Sequence, residues 1–143
     1  MKILALIVAA YTVVMLLIHV STAKILDAWN GPAGSWIKRW FPPQRALRVE
    51  ALYWLLTLAV WPLWPSSAWK ALVVVFAAIH FAVWGAGELR TIHLSGGVDL
   101  SAETHQARGA IIVFDLVEAA VLVAVGWLTV FYLLHSGLHL AAL

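Results

Sequence analysis

GAIIVFDLVEAAVLVAVGWLTVF, residues Gly109 to Phe131, decides the fold. A helix needs roughly 20 mostly apolar residues to cross a bilayer. This run supplies them while carrying Asp115 and Glu118 inside its length. An unpaired carboxylate at the centre of such a helix costs about 2.5–3.5 kcal/mol on insertion scales. Two of them three residues apart share one helix face. They must be protonated, paired, hydrated or turned into a protein interior. The stretch is therefore a transmembrane helix with something to neutralise.

The rest of the chain agrees with a membrane reading. Of its 143 residues 64% are hydrophobic and 11% charged, and its mean hydropathy is +0.93. A soluble domain carries about 25% charged residues, so the coat that water solubility requires is missing. The length suits one domain. A net charge of +2 gives no reason to expect nucleic acid, because the basic residues gather where membrane topology wants them. With no cysteine there is no disulfide, thiolate metal site or thiol nucleophile. The nine tryptophans fit the headgroup level, where amphipathic rings collect.

Working outward, Trp69 to Glu88 is a second clear span, with Ala77, Ala78, Gly85 and Gly87 allowing close helix approach. Ile3 to Val20 is longer than the ~7–15 apolar residues of a signal peptide core, which favours a retained anchor helix. Val49 to Trp64 is the shortest candidate: its charge-free core from Ala51 to Leu63 rises only ~20 Å as a helix. Snorkelling by Arg48 and the tryptophans at 61, 64 and 69 would cover the deficit. Pro62 and Pro65 make the join to the next helix tight. The expected fold is all-α: four transmembrane helices in one bundle, over 3–23, 49–64, 67–89 and 107–134.

Residues 24–48 are the longest hydrophilic stretch. Trp36, Lys38, Arg39 and Trp40 alternate aromatic with cation before Pro42-Pro43, so an amphipathic segment lying in the interface and touching lipid is expected. The connector 90–107 turns at Gly96-Gly97, with Ser101 as helix cap and Glu103 in the first turn. Gly137 is expected to end the last helix. Lys24, Lys38, Arg39, Arg45, Arg48, Arg90 and Arg108 fall on one side, Lys2 and Lys70 on the other. The positive-inside rule then puts 24–48 and 90–107 in the cytoplasm and both termini outside, in a cytoplasmic (inner) membrane.

With that orientation, counting 1.5 Å per residue places His80 about 12 Å, Asp115 about 12 Å and Glu118 about 16 Å from the cytoplasmic ends of their helices. One layer holds all three. Carboxylate–histidine clusters inside membranes serve as proton or cation relays. Facing helices of a bundle also build metal centres, although the pair here is Asp-x-x-Glu and not Glu-x-x-His. His80 or His19 are candidate ligands of a haem or chlorophyll-type pigment, with His80 read as the deeper by ~7 Å. The plain alternative is a polar clamp fixing helix register, at ~0.6 kcal/mol per hydrogen bond.

Other polar groups carry less. His93, Asp99, Glu103 and His105 match no closed metal-site spacing. His135 and His139 would share a face only if helix ran through Ser136-Gly137, which is not expected. Arg48 with Glu50, and Glu88 with Arg90, read as charges anchoring helix ends. No phosphate loop, G-x-S-x-G elbow or H-E-x-x-H is present.

The expected function is a small non-catalytic subunit inside a larger energy-transducing or transport complex, not an enzyme. Its partners are the bilayer and either other membrane subunits or copies of itself. The alternatives are a self-contained proton- or cation-coupled transporter or channel working through Asp115 and Glu118, and a cofactor-binding subunit using His80 or His19.

Overall fold

The computed structural model describes residues 1–31, 36–93 and 105–138, the side chains of 90–93 and 136–138 excepted. Among the described residues run six α-helices and no strand: α1 (Lys2–Val20), α2 (Thr22–Asn30), α3 (Trp36–Trp40), α4 (Pro43–Ala59), α5 (Ser67–His93) and α6 (Arg108–Leu138). A 3₁₀ turn at Trp61–Leu63 follows α4. Three stretches, Lys2–Val20, Ser67–Leu89 and Arg108–His135, are long and apolar enough to cross a membrane.

Each long helix buries one stripe. On α1 the buried positions are Ala5, Val8, Thr12, Met15 and His19, spaced alternately three and four apart as one helix face demands. Glu118, Leu122, Val125 and Thr129 form the matching stripe on α6. The two run antiparallel, since His19 meets Glu118 while Thr12 lies against Gly126. A Cβ at Gly126 would stand 3.1 Å from Thr12 Cγ2, so the small residue is what lets the backbones close. α4 packs along α5 and α1. There Trp54 stacks on Phe76 with ring centroids 5.2 Å apart, and Tyr11 donates to Val49 O at 2.8 Å.

Residues 24–48 hold more helix than a loop reading gives. α1 bends at Ser21 and continues as α2, whose Thr22, Leu26 and Trp29 turn inward. Trp29 Nε1 donates to Phe41 O at 2.7 Å, tying α2 to the start of α4. α4 itself begins at Pro43, with proline in its first turn, where the missing N–H costs nothing. α3 turns Trp36 and Trp40 outward, 70% and 63% exposed.

Two expectations about helix ends change. α6 runs through Gly137 to Leu138, and His135 Nδ1 bonds Phe131 O one turn back at 2.9 Å. Arg48 and Glu50 do not anchor a helix end, since α4 starts at Pro43 and both lie inside it. Arg48 reaches Glu88 on α5 at 2.5 and 3.0 Å, away from Glu50, because residues two apart on a helix point in nearly opposite directions. Gly96-Gly97, the Ser101–Glu103 cap, Asp99, His139 and the side chains of Arg90 and His93 lie outside the described residues.

Candidate metal centre

Glu118 sits at the middle of the bundle with no exposed surface. Its Oε2 is 3.2 Å from His19 Nε2 on α1 and 3.2 Å from His80 Nε2 on α5. Its Oε1 accepts from Trp54 Nε1 on α4 at 2.8 Å. Glu50, one helical turn before Trp54, brings Oε2 to 3.9 Å from His80 Nε2. Asp115, one turn before Glu118, accepts from the Thr22 hydroxyl of α2. Each of the four long helices thus contributes a titratable group to one point.

The histidines fix the chemistry of that point. His19 Nδ1 lies 2.8 Å from Met15 O and His80 Nδ1 lies 2.7 Å from Phe76 O. A carbonyl oxygen only accepts, so in both rings Nδ1 carries the hydrogen. In the neutral ring Nε2 is then a bare lone pair. Both lone pairs are aimed at a carboxylate oxygen, negative against negative. His19 Nε2 and Glu118 Oε2 stand 3.2 Å apart without a well-aligned hydrogen bond between them, and left without a positive charge they would repel. Such an orphaned buried pair costs several kcal/mol in a low-dielectric interior.

A positive charge between them removes the conflict. Protons on both imidazoles are one solution, and a metal ion is the other. The residues fit a metal as well as protons: an Nδ1–H held by a backbone carbonyl, which His135 also makes, is an outer-shell support that fixes the tautomer and ring plane of a ligating histidine. One ligand atom each from His19, Asp115 and Glu118 lie within 4.8 Å of one another. Imidazole with carboxylate, and no thiolate, suits a divalent first-row transition metal. The same geometry leaves little space for a tetrapyrrole, because Glu118 already stands where its metal would meet either Nε2.

His80, Asp115 and Glu118 were legible as one layer. The structure adds His19 at the same level as His80, and it adds Glu50, Trp54 and Thr22. The helix start signal at Pro42-Pro43 was the clue to Glu50, since it places that residue two turns inside α4. Trp36, Lys38, Arg39 and Trp40 lie on α3, apart from this centre, and Arg39 covers the Trp40 ring at 5.8 Å.

Comparison with known protein families, with curated proteins and with solved structures finds no match for this chain.

Proposed function

We propose that this is a membrane-embedded metal-binding protein. Four spanning helices surround one divalent transition-metal ion held by His19 Nε2, Asp115 and Glu118, whose ligand atoms lie within 4.8 Å of one another, with His80 and Glu50 as neighbouring groups. The observation that carries the reading is the pair of Nδ1-protonated imidazoles facing one buried carboxylate. α4 is the fourth span. Its 17 residues rise about 25 Å, and Trp61 and Trp64 cap it toward the headgroups. α3 lies in the interface on Trp36 and Trp40, and the basic end of the bundle faces the cytoplasm.

An ion in this position fills the role foreseen for Asp115 and Glu118, neutralising carboxylates that the bilayer will not tolerate alone. The test is metal analysis of protein purified gently from membranes. About one equivalent of a first-row divalent metal is expected, and His19→Ala or Glu118→Gln should each remove it. Metal-free protein whose melting temperature no added manganese, iron, cobalt or zinc ion raises would overturn the reading and leave protons as the neutralising charge.

A further inference from the structure

Beside the metal centre lies a cavity of about 580 Å³, inside the roughly 300–1,000 Å³ typical of small-molecule sites. It is bounded by α2, α4, α5 and α6, and its walls are mostly aliphatic and aromatic. At its inner end stand Glu50, His80, Asp115 and Thr22. At its mouth, between α5 and α6, stand Ile79 and Val83, 38% and 49% exposed, with exposed Ala86 and Ala110. Both flanking helices are apolar enough to span a membrane. The opening therefore faces acyl chains and not water.

The inner end has a definite polarity. Thr22 is committed to Asp115, Trp29 Nε1 to Phe41 O and His80 Nδ1 to Phe76 O. The donors lining the cavity are thus spent, while the carboxylates of Glu50 and Asp115 retain acceptor capacity. A molecule that seats here needs an apolar body and a head that donates. A head that only accepts would leave these carboxyl oxygens without a partner.

We propose that this cavity binds a lipid-soluble molecule with a hydrogen-bond-donating head, a hydroxyl or an amine, which enters between α5 and α6 and sets that head on Asp115 and Glu50. This inference goes beyond metal binding and does not depend on it. The mouth and Glu50 are the same with an ion or with protons at Glu118, and Asp115 keeps an oxygen free of a single metal bond.

The test uses the full chain in lipid nanodiscs with three photoactivatable long-chain probes of one length, an alcohol, an amine and a fatty acid. Adducts are located by peptide mass spectrometry. Saturable labelling of peptides carrying Ile79, Ile111 or Phe114 by the alcohol or the amine is expected, competed by its unlabelled homologue. Which of the two labels names the head group. Asp115→Leu should weaken that labelling about tenfold, the loss expected when a hydrogen bond to a charged acceptor is removed. Ala110→Phe, which narrows the mouth and leaves the carboxylates in place, should slow labelling without changing the metal content. Equal, non-saturable labelling by all three probes would mean bulk lipid only, and would overturn the proposal. So would labelling confined to outward residues such as Val113 and Leu116. Preference for the fatty acid would overturn it too.

Discussion

Two kinds of charged contact occur in this bundle, and they are built differently. At its rim, Arg48 donates through Nε and Nη2 to the two oxygens of Glu88, and Arg108 grips Asp27 Oδ1 at 3.0 and 3.2 Å. Every donor there faces an acceptor. In the middle, two imidazoles share one acceptor: the Nε2 atoms of His19 and His80 stand at 3.2 Å from Glu118 Oε2. The rim pairs are complete as they stand, and the inner group needs a positive charge, carried by protons on the imidazoles or by a metal ion. Solvent screens the first kind far more than the second, so the inner contact is the one on which the proposed function rests.

That contrast can be broken most sharply at Glu118. Glu118→Gln is expected to remove metal binding altogether, beyond the ~10–100-fold cost of losing an outer-shell partner, as read by metal analysis and titration. His19→Ala and His80→Ala come next. Loss of the ligand His19 should weaken metal binding strongly and loss of the neighbouring His80 less, and each should couple with Glu118→Gln in a double-mutant cycle by about 0.5–3 kcal/mol of stability. Additive losses would mean that the three side chains do not share one centre.

Trp54→Phe is a finer probe. It keeps a ring against Phe76 and deletes only the N–H that orients Glu118 Oε1. Metal affinity should fall about tenfold, with little change in fold. Lowering the pH should also weaken binding, because imidazole and carboxylate ligands must give up their protons to hold a metal. Titrations at successive pH values should show proton release on loading. Smallest of all is Arg48→Ala at the rim. An exposed ion pair is worth about 0–1 kcal/mol, so melting temperature should barely move and metal content not at all.

The same contrast explains what could be read from sequence. Helices α1, α5 and α6 announce themselves by hydropathy, since uninterrupted apolar runs have few other uses. The layer of His80, Asp115 and Glu118 follows from rise per residue alone. Glu50 was hidden because a second span beginning at Val49 makes Arg48 and Glu50 helix-end charges. Only the start of α4 at Pro43 shows that both lie inside the helix. His19 was set at a shallower level because depth counting assumes that helices begin at one plane. The bend at Ser21, with α2 continuing beyond it, removes that assumption. The lone-pair conflict is not a sequence property at all: it depends on which ring nitrogen meets a carbonyl.

The most direct test is therefore nitrogen-15 NMR of histidine-labelled protein, with His19 and His80 assigned by single substitutions. With metal bound at neutral pH, the His19 ring is expected to carry hydrogen on Nδ1 only, with Nε2 unprotonated and shifted by coordination. Protonation of Nε2 in both rings, unchanged when metal is added, would contradict metal ligation and make the centre an imidazolium–carboxylate cluster.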